Sequence, residues 1–180
     1  MLPAPMMPIR PENRNSMTPL LLRNLTVVPT LMAMGEARVR DRAFLLIAIA
    51  IQESDLTHRR QSPRGPARSW WQIEPATAYD TIGRYRPAAD MLRELRLDKD
   101  YILPVLEWCD PAACAIAAGI VKLCPLALPA IPESAPITGA REACWEYYLR
   151  AWRPGKPRRE RWDEAFEGAV KAMLAFQESP

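Results

Sequence analysis

The residues whose types and order most suggest chemistry fall in one run, Ile47 to Ala78, IAIAIQESDLTHRRQSPRGPARSWWQIEPATA. Glu53 ends an apolar stretch. A basic loop containing Pro63, Gly65 and Pro66 follows, and then come Trp70, Trp71 and Gln72. A carboxyl group among apolar neighbours loses the hydration that favours its charge, so its pKa rises. If the apolar stretch is a helix, the negative end of its dipole disfavours the ionised form as well. A Glu held protonated near neutrality is a general acid, able to donate to a leaving oxygen such as a glycosidic one. The plain alternative is a solvated charge at a helix end, the usual fate of a Glu. Asp55 and Glu74 are the nearest other carboxylates. Their places in the chain do not give the separations that distinguish retaining from inverting hydrolysis.

The neighbouring residues each admit two readings. Trp70 and Trp71 offer flat apolar faces of the kind that stack on sugar rings, yet in a chain with six Trp at least one belongs to the core. Arg59, Arg60, Arg64 and Arg68 either attract an anionic ligand or form a solvated face. His58, the only histidine, lies in the same basic loop and reads as solvated.

A helix must position Glu53, and the run Arg40 to Gln52, RDRAFLLIAIAIQ, supplies one. It is apolar nearly all round after a charged first turn and rich in Ala, so it reads as a buried helix ending near Glu53 and Ser54. Other helices are expected from Thr18 to Met34, from Pro75 onward, and near residues 87–97 and 98–108. Asp110 is placed as an N-cap with Pro111 at the first helical position, opening a helix to about Leu123. Residues 124–137 hold four prolines and form a connector. Thr138 caps a helix to Trp152, and a last helix shows the stripe Trp162, Phe166, Ala169, Val170, Met173. Residues 1–16 read as a flexible leader and 17–180 as one domain.

The bulk numbers agree with a mainly α chain. Of 180 residues, 49% are hydrophobic, and 19 Pro against 7 Gly suit helices broken by stiff corners better than sheet ladders. A net charge of +3 is too small to argue for nucleic acid. Cys109, Cys114, Cys124 and Cys144 match no zinc spacing and read as reduced core residues, or as a disulfide after export. The stretch Met17 to Met34 is apolar but is interrupted by Pro19, Arg23 and Pro29. It forms neither a signal core nor a span of roughly 18–20 residues. The expectation is therefore a soluble protein made in the cytoplasm without a signal peptide and without membrane insertion. If its substrate lies outside the membrane, something else must deliver it.

The central run resembles the soluble lytic transglycosylase and goose-type lysozyme superfamily. That family has a catalytic Glu followed by Ser, a loop with Gly, and a segment like GLMQIMPATA. Glu53-Ser54, Gly65 and Gln72-Ile73-Glu74-Pro75-Ala76-Thr77-Ala78 stand here in that order, with one extra residue near Pro66. Asp110-Pro111 with Ile116 and Gly119 looks like the family's DP…NI..G helix, with Ala115 at the Asn position. Ala151-Trp152-Arg153-Pro154-Gly155 looks like its AYNAG element, with Trp for Tyr and Arg for Asn. Ser69 stands where a second Gly is usual, so the backbone would approach a sugar less closely. The overall pattern also resembles phage and prophage proteins of the superfamily.

The resemblance implies a lysozyme-like domain with a long loop after the helix that bears the catalytic Glu. It implies cleavage of the β-1,4 bond between N-acetylmuramic acid and N-acetylglucosamine in peptidoglycan. Glu53 would be the catalytic acid and base; Gln72, Trp71, Trp70, Ser69, Trp152 and Arg60 would contact substrate, with Gln72 bonding an N-acetyl group or Glu53. No metal and no organic cofactor are implied. The partners are peptidoglycan glycan strands, with phage virion or lysis proteins as agents of delivery to the cell wall. Two rivals stand beside this reading. One is a catalytically weak lysozyme-fold module that binds glycan or serves phage structure. The other is a small basic helical nucleic-acid-binding domain, for which no helix-turn-helix or ribonucleoprotein signature is present.

Overall fold

Helix α3 (Val39–Ser54) runs through the centre of the protein, and eleven of its sixteen residues are buried. That burial explains its sequence: a helix covered on every side needs apolar residues all round rather than a stripe. The computed structural model describes residues 17–61, 63, 65–132 and 139–175. The expected leader over residues 1–16, Arg64 and the Thr138 cap lie outside the described residues. The described chain is mainly helical and contains no strand, only two isolated bridges, Arg60 with Arg68 and Arg68 with Ile73.

Before α3 lies one helical run made of α1 (Pro19–Leu22), a π-helical segment (Arg23–Val27) and α2 (Val28–Ala33). Thr18 caps it, accepting from the Leu21 amide at 3.2 Å. The widened π turn precedes Pro29, which brings no N–H to the ladder and presses its ring on the preceding turn. A helix was expected here; the π segment is additional.

After α3 come α4 (Pro75–Arg84), α5 (Arg86–Glu94), a 3-10 turn (Lys99–Tyr101), α6 (Ile102–Trp108) and α7 (Asp110–Lys122). Helix α7 is the second buried helix, with ten of its thirteen residues inside. Its small side chains let neighbours come close. A Cβ on Gly119 would lie 2.5 Å from Thr81 Cγ2 and 2.7 Å from Tyr85 Cδ1, so α4 crosses α7 where only glycine fits. One expectation is corrected at the start of α7. Cys109, in extended conformation, occupies the N-cap and Asp110 sits in the first turn, where its side chain turns to Arg59 instead of capping the helix.

Helices α8 (Ala140–Trp152) and α9 (Arg159–Leu174) complete the described chain. Helix α9 lies along α3, with Phe44 and Phe166 meeting edge to face at 4.9 Å. One buried cluster runs from Leu22 to Ala172. All four cysteines are free thiols, Cys114 and Cys144 inside it.

Candidate active site

The last turn of α3 places Glu53 at the negative end of a buried helix. The turn stops there because Asp55 and Leu56 take left-handed conformations at φ +53° and +52°. Such angles cost energy in residues other than glycine and must be held by their surroundings. Ser54 does the holding. Its hydroxyl donates to the Ala50 carbonyl at 2.9 Å and accepts the Leu56 amide at 3.2 Å, while the Asp55 amide closes on Ile51 at 2.8 Å.

Glu53 opens onto a cleft of about 970 Å³. Tyr148 of α8 donates its hydroxyl to Glu53 Oε1 at 2.6 Å. The Tyr148 ring is fixed in turn, stacked on Trp162 at 5.0 Å and against Trp145 at 5.4 Å. Burial pushes the Glu53 carboxyl above the ordinary carboxylate range. The Tyr148 hydrogen bond and the nearby charges of Arg158 and Arg161 oppose that rise without cancelling it. The result is a carboxyl inclined to hold its proton, with a phenol and two cations ready to stabilise the anion left after donation. Such a group can act as acid and then as base.

One wall of the cleft is the loop between α3 and α4, which is tied down by its own arginines. Arg59 grips both carboxylate oxygens of Asp110, donates to the Glu107 carbonyl at 2.9 Å, and lies over the Trp70 ring at 4.1 Å. Arg60 donates to Glu107 at 2.7 Å, and Arg68 reaches the same carboxylate at 3.4 Å. These three arginines therefore serve to hold the loop against the α6–α7 corner.

The structure corrects three of the residues expected to contact substrate. Trp71 is fully buried and donates its indole N–H to the Leu46 carbonyl at 2.9 Å, so it is a core pillar beneath the loop. Trp70 is only 7% exposed, covered by Arg59, with its N–H 3.4 Å from Asp110. Ser69 has no exposed surface; its hydroxyl accepts the Trp71 amide at 3.2 Å. Its φ of +71° lies in the left-handed region, where glycine is the less strained residue.

Gln72 does line the cleft, but its amide nitrogen donates to the Ser69 carbonyl at 2.8 Å and to the His58 carbonyl at 3.2 Å, which makes it a brace of the loop. Arg60 lines the cleft while committed to Glu107, and the half-buried Trp152 lines it from the end of α8. The cleft thus brings together Glu53, Gln72, Arg60 and Trp152. It leaves out Ser69, Trp70 and Trp71.

Tyr148, Arg158 and Arg161 were not foreseen. Tyr148 stands four residues before Trp152, one helical turn along the same face, and that spacing was the available signal. Backbone strain marks the same region. Of the seven non-glycine residues with positive φ among those described, Asp55, Gln72 and Arg153 line the cleft, and Leu56 adjoins lining residues in the chain. Among the described residues no group of three His, Cys, Asp or Glu side chains converges as a metal site. Comparison with protein-family models, with curated proteins and with solved structures gives no match.

Proposed function

We propose that this chain is a lysozyme-like, lytic-transglycosylase-type domain that cleaves the β-1,4 bond between N-acetylmuramic acid and N-acetylglucosamine. The observation that carries the reading is Glu53: a carboxyl on the last turn of a buried helix, opening onto a large cleft, inclined to stay protonated and held by Tyr148. Glu53 gives its proton to the glycosidic oxygen as the bond to the muramoyl anomeric carbon breaks. The resulting carboxylate, favoured by Tyr148, Arg158 and Arg161, takes the proton of the muramoyl 6-hydroxyl as that oxygen closes on the anomeric carbon. The products are a 1,6-anhydromuramoyl end and a free N-acetylglucosamine 4-hydroxyl, and Glu53 is protonated again. Asp55, Glu74 and Asp80 also line the cleft, but all three are exposed side chains.

The test is digestion of purified peptidoglycan with mass spectrometry of the released muropeptides. Anhydromuramoyl ends are expected. Glu53→Gln keeps the shape and loses the transferable proton, so turnover should fall by at least about 100-fold. Reducing muramic acid ends carrying solvent oxygen would instead make the enzyme a hydrolase. Near-parental turnover in Glu53→Gln removes Glu53 from the chemistry. A second reading, a lysozyme-fold module that binds glycan with little turnover, draws on Gln72, whose amide nitrogen is spent on the loop. Binding of glycan strands without product release is its signature. Under either reading the protein is made in the cytoplasm and reaches the wall with phage lysis or virion proteins. No single helix among the described residues is long and apolar enough to cross a membrane.

A further inference from the structure

The wall of the cleft opposite the loop carries Arg150, Arg153, Lys156 and Arg158. All four are exposed. Among the described residues no carboxylate lies within ion-pair distance of any of them. Elsewhere on the cleft, Arg60 and Arg84 are neutralised by Glu107 and Asp80. Arg161 of α9 also lines the cleft without an ion pair, donating to the Ile51 carbonyl, so the positive field in the cleft comes mainly from this wall and the start of α9.

The backbone of the segment that displays it is restrained on either side of Gly155. Arg153 is held in the left-handed region at φ +51°, closing α8, and Pro154 and Pro157 each fix a backbone angle before α9 begins. Cations carried on a stiff turn lose less freedom when they engage a ligand than cations on a mobile loop. Trp152 lines the cleft within the same segment, so an apolar face for a sugar and charges for its substituents are adjacent in the chain.

Resting on the glycosidase reading above, we propose that the segment Arg150 to Arg158 is a specificity wall that recognises carboxylates on the peptide stems of the glycan. Glycan carrying charged stems is then the preferred substrate over glycan from which the stems have been removed. The neutral sugar backbone is held by the rest of the cleft.

The experiment measures binding of uncrosslinked glycan strands to the full chain carrying Glu53→Gln, which prevents turnover. Strands are compared in three forms: with stems, with stems whose carboxylates are amidated, and stripped of stems with the lactyl carboxyl so exposed capped as its methylamide. The expected order is tight binding for charged stems and weaker binding for the other two, with the difference shrinking as salt rises. Adding Arg153→Gln and Lys156→Gln should weaken binding of charged-stem strands about fivefold to tenfold, the effect of two exposed ion pairs. The amidated and stripped forms should change less than about twofold. Equal affinity for all three forms, or an equal loss for all three in the double variant, overturns the proposal. If the parent chain cleaves stripped strands and stems make no difference, only this inference falls. If no form of the strand binds or is cleaved, the glycosidase reading falls with it.

Discussion

On one side of the cleft Arg59, Arg60 and Arg68 each reach back to a carboxylate of the same chain, whereas on the other no carboxylate among the described residues lies within ion-pair distance of Arg150, Arg153, Lys156 or Arg158, and only Arg158 is near enough to act on Glu53. The residue type is the same and the work is different. Glu107 is nearly buried, and an unpaired carboxylate there would be costly, so the loop arginines stabilise the fold by meeting it. Exposed cations on the far wall remain solvated, contribute little to stability, and stay available. A run of arginines in a sequence therefore says nothing about binding until the acids of the same chain have been placed against it.

The comparison breaks most visibly at the two tryptophans. Trp71→Ala empties a fully buried site under the tied wall and should cost about 3–5 kcal/mol, a clear fall in melting temperature. Trp152→Ala gives up only part of the roughly 1.5–3 kcal/mol that a fully buried large side chain brings, so a loss near 1 kcal/mol is expected, together with weaker glycan binding. Equal destabilisation by both would place Trp152 in the core. The charges come next. Glu107→Gln keeps the volume and removes the anion shared by Arg60 and Arg68; with Arg60 largely exposed, a cost of about 1–2 kcal/mol is expected in denaturant unfolding. The double variant Arg153→Gln, Lys156→Gln should stay within about 0.5 kcal/mol of the parent in the same measurement.

The subtlest test lies between the walls, at Tyr148. Its hydrogen bond favours the Glu53 carboxylate, so Tyr148→Phe should raise the Glu53 pKa further. Because the reaction needs the protonated acid, activity is lost as pH rises through that pKa. The alkaline limb of kcat/KM should therefore move to higher pH. Turnover should fall roughly twofold to tenfold for one lost hydrogen bond, far less than in Glu53→Gln. An unmoved limb would show that Tyr148 holds only the helix packing.

What the sequence made legible follows from which signals are local. The helix ending at Glu53 could be read because a buried helix needs an unbroken apolar run. Gly119 is marked only by resemblance, and the reason for it, the close approach of Thr81 and Tyr85, is tertiary. Trp70 and Trp71 could not be assigned by type: a tryptophan that stacks on sugar and one that supports a loop look alike until Leu46 and Arg59 are placed against them. Asp110 misled for a related reason. An Asp before Pro is a good N-cap in isolation, but Arg59, fifty-one residues earlier, captures its carboxylate. Tyr148 was passed over because its spacing from Trp152 marks a shared helix face but not that this face meets Glu53, which is a tertiary fact.

The buried thiols give the two halves of the site separate clocks. Cys114 sits inside α7, the helix that anchors the tied loop, and Cys144 inside α8, the helix that carries Tyr148 and Trp152. Burial pushes both thiols up, Cys144 to about 12, so neither reacts while its helix is seated. In excess alkylating reagent each cysteine is then labelled only as fast as its own shelter opens. The half-exposed Cys109 and Cys124 are consumed first and mark the start of the reaction. If α8 leaves the core more often than α7, Cys144 is modified ahead of Cys114, and the order of two mass shifts reports which side of the cleft lets go first.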